Sequence, residues 1–134
     1  MSPQLFLRLA ERSRRRKLQN LSALVEKKQH LVELDEKLTV NNHSSQQAML
    51  KIKQTLWQLT QQVATTQNVY DARLQEAALM RHLLQLETEA DQYQIQKTRV
   101  EADIQILRQV VRYFGIKEEK MNKAESWLRE RDSK

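Results

Sequence analysis

From Val69 onward, steps of alternately three and four residues land on Val69, Ala72, Glu76, Leu79, Leu83, Leu86, Ala90, Tyr93, Lys97, Val100, Ile104, Leu107, Val111, Phe114, Glu118, Met121, Glu125 and Leu128. Fourteen of these eighteen positions are apolar. A repeat of about 3.5 residues held over so many heptads predicts a helix paired along one narrow stripe. The first half is less regular. Leu24, Leu31, Leu34 and Leu38 keep one register, while Met49, Ile52, Leu56, Leu59 and Val63 read as a slightly shifted one. Ser2 is placed to cap a helix and Pro3 to occupy its first position, where the missing N–H costs nothing, so the first helix is expected to begin there.

Two apolar stripes in one chain raise the question of where the chain turns. Gly115 is the single glycine and Pro3 the single proline among 134 residues, against about 7% and 5% in ordinary globular domains, so long uninterrupted elements are expected. Asn41-Asn42-His43-Ser44-Ser45 is the stronger local breaker, because such side chains compete for backbone hydrogen bonds; Ala64 to Asn68 is the weaker one. A bend near residue 43 would leave the best seam, 83 to 128, without a partner. A bend near residue 66 pairs residue i with roughly 132 − i and sets Asn41–Ser45 against Glu87–Asp91, polar against polar. The expected fold is therefore all-α, a single domain of two long helices forming an antiparallel coiled-coil hairpin. Helix 1 spans about 3–63, the bend about 64–68 and helix 2 about 69–131. Gly115 falls inside helix 2, where it costs about 1 kcal/mol relative to Ala; it reads as a tolerated irregularity in preference to a hinge.

Charge adds a direction to this picture. The net charge is +6, and the excess sits in the first 30 residues. There Arg8, Arg12, Arg14, Arg15, Arg16, Lys17, Lys27 and Lys28 face only Glu11 and Glu26, while the rest of the chain carries equal numbers of basic and acidic residues. A partner would be a localised acidic surface. The run Arg12 to Lys17 admits three readings: a solvated helix end, a dock for an acidic protein, or a site for nucleic acid or anionic lipid. Nucleic-acid modules interleave stacking aromatics, and here aliphatics and Gln flank the run. Trp57 and Trp127 sit beside Leu56 and Leu128 and are expected to pack on the flank of the partner helix. Glu33–Lys37 and Glu125–Arg129 have the spacing of ordinary surface ion pairs.

Other chemistry is excluded more than it is found. With no cysteine, neither disulfides nor thiolate metal sites exist, and cytoplasm is the default compartment. No apolar run approaches the ~20 residues that span a bilayer, and the basic run follows the apolar start instead of preceding it, unlike a secretory signal. His30, His43 and His82 are too far apart to form a ligand pair. One glycine cannot build a phosphate loop, and a two-helix rod has no dry concave interior. No catalytic, cofactor-binding or metal-binding residues are expected, and the protein is not expected to be an enzyme.

An apolar start followed by clustered arginines (Leu5 to Lys17), a Gln-rich middle and a basic amphipathic end (Trp127-Leu128-Arg129-Glu130-Arg131), on a helical hairpin of this size, together resemble the FliJ/YscO (SctO) family. These are the small stalk proteins of bacterial type III secretion and flagellar export. The likeness covers nearly the whole chain and rests on architecture. It implies a cytoplasmic central stalk at the base of a membrane-anchored secretion machine, similar to the gamma subunit of rotary ATPases. Its terminal end would insert into the hexameric secretion ATPase through Arg8, Arg12, Arg14, Arg15, Arg16, Arg129 and Arg131. Its other end would meet the export gate protein, or secretion chaperones, through Trp57, Leu59, Val63 and Tyr70. Neither nucleic acid nor membrane insertion belongs to this reading. The rivals are a homodimeric scaffold coiled coil joined through the C-terminal seam and a basic nucleic-acid-binding coiled coil.

Overall fold

A computed structural model describes residues 2–62 and 65–133. Two helices account for nearly all of them, α1 (Pro3–Gln61) and α2 (Thr66–Ser133). They pack against each other as an all-α helical hairpin. Ser2 caps α1 as its sequence position requires, its Oγ accepting a hydrogen bond from the Gln4 N–H at 3.2 Å, with Pro3 as the first helical residue. Thr65 does the same for α2, its Oγ1 accepting from the Asn68 N–H at 3.1 Å. That cap draws Thr66, Gln67 and Asn68, expected in the bend, into the first turn of α2. Val63 and Ala64, at the predicted end of helix 1 and start of the bend, lie outside the described residues.

The seam of α2 is followed faithfully. Each of the eighteen positions from Val69 to Leu128 is buried or half-buried, its four charged residues included. On α1 the matching series runs through Leu24, Lys27, Leu31, Leu34, Leu38, Asn41, Ser45, Ala48, Ile52, Thr55 and Leu59, again all buried or half-buried. Of the shifted register expected for Met49, Ile52, Leu56, Leu59 and Val63, Ile52 and Leu59 hold the seam, Met49 and Leu56 do not, and Val63 lies outside the described residues. Met49 and Leu56 are 55% and 44% exposed, and small or polar residues hold the seam in their place. Helix geometry, not apolar identity, decides the outcome, because shifting the stripe by one residue rotates it by about 100° away from the partner.

The chain forms two compact units. The terminal unit comprises residues 1–31 with 99–134, and the central unit comprises residues 32–98. In the terminal unit Ala10, Leu24, Val100 and Ile104 are buried. Lys17 Nζ donates to Glu118 Oε2 across the helices at 2.7 Å, and Lys27 meets Asp103 at 3.2 Å. Gly115 lies within continuous α2 beside Lys17, without a positive φ.

In the central unit Leu34 is fully buried, with Ala48 and Leu86 close to it in burial. Asp35 pairs with Lys97 at 2.9 Å, and Lys37 lies over the Tyr93 ring at 5.7 Å. Asn41, 7% exposed, donates its Nδ2–H to the Leu86 carbonyl at 2.9 Å. The polar stretch therefore meets α2 where the pairing rule set it: Asn41, Asn42 and Ser45 line one groove with Glu87 and Ala90.

Candidate functional site

Leu9, Arg12, Ser13 and Arg16 follow one another at helical spacing on a single flank of the α1 seam. Phe114 and Lys117 come from α2. Together they line a cleft of about 140 Å³ in the terminal unit. Ser13, 3% exposed, is the buried member of this lining. Arg16 sets its guanidinium over the Phe114 ring at 5.6 Å. Phe114 and Tyr113 pack edge to face with centroids 5.2 Å apart and planes at 72°, and Lys117 lies over Tyr113 at 5.9 Å. Arg16 and Lys117 are thus steered by ring faces instead of sampling every rotamer, which lowers the entropy lost when an anion arrives.

Among the described residues no acidic side chain lines this cleft. Two neighbouring carboxylates are engaged elsewhere, Glu118 with Lys17 at 2.7 Å and Glu11 with Arg15 at 3.0 Å. Among the described residues, Arg12, Arg16 and Lys117 therefore meet at the cleft without an ion-pair partner. Two guanidinium forks and an ammonium around a shallow, partly apolar depression fit a carboxylate-bearing surface, since guanidinium binds carboxylate bidentately.

The seven basic residues expected at this end belong to one unit but not to one site. Arg12 and Arg16 line the cleft. Arg15 is tied to Glu11, Arg129 contacts Glu125, and Arg131 covers the Trp127 ring at 5.4 Å. Arg8 and Arg14 are exposed. Lys117 was missed by sequence reasoning. Its signal lies in the seam, because it precedes Glu118 by one residue and so falls on the same flank as Arg12 and Arg16. Glu125 departs from the surface role expected of it. It is 5% exposed, with Oε1 against the Arg129 guanidinium but without a well-formed hydrogen bond.

The residues expected to face an export gate lie in the central unit. Trp57 and Tyr70 are 66% and 59% exposed, Leu59 is half-buried on the seam, and Val63 lies outside the described residues. The expected flank packing of the tryptophans is not observed. Trp57 projects away from a seam that runs through Thr55 and Leu59, and Trp127 is 59% exposed. Among the described residues no group of three or more His, Asp or Glu side chains is placed to hold a metal ion, and no helix is long and apolar enough to cross a membrane. No family model, curated protein or solved structure matches the chain.

Proposed function

We propose that this protein is a non-enzymatic central stalk of a bacterial type III secretion ATPase complex, cytoplasmic and at the base of the membrane-anchored machine. Its terminal unit enters the hexameric ATPase ring, and its central unit meets the export gate protein or secretion chaperones. The observation that supports this reading best is the cleft of Arg12, Arg16 and Lys117, cations without an ion pair among the described residues, two of them lying over aromatic rings, in the terminal unit. Such a site recognises an acidic protein surface and catalyses nothing. A single helical pair inside a six-fold ring contacts the subunits unequally, and so links their states by differential binding.

The rival scaffold, joined through the C-terminal seam, has little to draw on, because that seam is covered within the chain at each of its eighteen positions. The test is co-purification with a hexameric secretion ATPase. Wild type should bind, and Arg12→Glu with Arg16→Glu should weaken binding at least about tenfold, roughly 1.4 kcal/mol. Arg14→Glu with Arg15→Glu, outside the cleft, should weaken it less than about threefold, since rim charges act mainly on encounter. Equal losses in the two pairs would remove the cleft from the account. Failure of the wild-type chain to bind, alongside salt-sensitive binding to unrelated DNA, would replace the stalk with the nucleic-acid reading.

A further inference from the structure

The central unit carries a second feature that the stalk reading does not use. A groove of about 960 Å³ runs between α1 and α2 in this unit. Met49, Met80, Leu83 and Leu84 form its apolar part, and Met49, Met80 and Leu84 stand 55%, 49% and 60% exposed. Three large apolar side chains half in water, side by side, mark a contact surface, and methionine suits one because it repacks at little cost.

Charge around the groove is ordered along its length. Arg73, Met80 and Glu87 occupy the same heptad position of α2, each following a seam residue, Ala72, Leu79 and Leu86. Arg73 therefore lies seven residues to one side of Met80 and Glu87 seven to the other, about 10.5 Å each way at 1.5 Å per residue. Lys53 of α1 follows Ile52 and Asp91 of α2 follows Ala90, on the alternate set of seam residues, and the positions of α1 and α2 that continue the Met49 and Glu87 series are Leu56 and Gln94. Neither Arg73 nor Glu87 has an ion-pair partner among the described residues. Asp35 and Lys97, which also line the groove, pair with each other at 2.9 Å, so Arg73 and Glu87 stand as one cation and one anion at equal arms about an apolar centre.

We infer that this groove docks a second copy of the chain, related by a two-fold axis that passes beside Met80. Two copies laid face to face with their α2 helices antiparallel bring Met80 onto Met80 and set Arg73 of each against Glu87 of the other. A two-fold interface must be self-complementary, and equal arms of opposite charge about an apolar centre satisfy that condition. A parallel arrangement would oppose like charges at both ends, and it is rejected for that reason. This dimer is distinct from one joined through the heptad seam, which each chain satisfies internally, and it does not depend on the stalk reading.

The full chain carries no cysteine, so one introduced thiol reports on one place. Met80→Cys should give a disulfide-linked dimer under mild oxidation at least about tenfold faster than Ile106→Cys, an exposed position of the terminal unit, because only the first thiol meets its own copy at the axis. Equal rates would overturn the proposal. In sedimentation equilibrium, Arg73→Glu and Glu87→Arg should each weaken dimerisation at least about tenfold, and the two combined should restore it to within about threefold. A combined variant as weak as either single one would overturn it. So would a wild-type chain that stays monomeric up to several hundred micromolar, which would leave the groove to a helix of another protein. All these side chains are exposed, and unchanged circular dichroism confirms that the variants fold.

Discussion

Asn41 occupies a seam position between Leu34 and Leu38 on one side and Ala48 and Ile52 on the other, where a leucine would bury more apolar area. What it gives in exchange is position. Its Nδ2–H reaches the Leu86 carbonyl at 2.9 Å, a contact that one alignment of the two helices satisfies and a shift by a turn would break. Asn41→Leu should leave the free energy of unfolding unchanged or raise it, while the alignment becomes less unique. The check is a urea titration beside an amide correlation spectrum, with doubled or broadened peaks expected around residues 38–48 and 83–93. A loss of more than about 2 kcal/mol with a single sharp spectrum would show that Asn41 acts as packing and not as a register pin.

At the scale of the element, each helix is continuous through the residue most able to interrupt it. α2 passes through Gly115 without a break. A Cβ built there would meet Lys17 Cδ at 3.7 Å, an ordinary van der Waals contact. Gly115→Ala should therefore stabilise the protein by about 0.5–1 kcal/mol, chiefly by restricting the unfolded chain. The midpoint of a thermal melt should rise by about 2–5 °C, and a fall would mean that the site needs glycine for a reason beyond helix propensity.

The elements were unequally legible for a related reason. The stripe of α2 can be read directly because Leu, Ile, Val and Phe fill most of it. The stripe of α1 cannot, because Asn41, Ser45, Ala48 and Thr55 hold the seam while Met49 and Leu56 stand outside it. Apolar identity and helical position disagree there, and position wins. The basic cleft was half legible. Arg12 and Arg16 belong to a conspicuous run, but Lys117 joins them only once the pairing of the helices is known. The groove around Met80 was hidden by the same misassigned register that drew Met49 and Leu56 into the core.

At the scale of the whole molecule, the two units differ in how much chain separates the partners they join. The Asn41–Leu86 contact of the central unit spans 45 residues, whereas the Lys17–Glu118 contact of the terminal unit spans 101. Closing a longer loop costs more conformational entropy, and contacts distant in sequence form later. With α1 ending at Gln61 and α2 starting at Thr66, the shortest closures lie in the central unit. Pairing should start there and proceed outward like a zip, so the basic cleft is the last part to close and the first to open. Native-state hydrogen exchange should show amides of residues 5–28 and 102–130 opening at lower free energy than those of 34–59 and 69–95. The reverse order would place the folding nucleus in the terminal unit. A cleft that opens before the rest of the protein unfolds can part its helices within a partner and close again around it, so the energy of docking and the energy of folding at that end are one quantity.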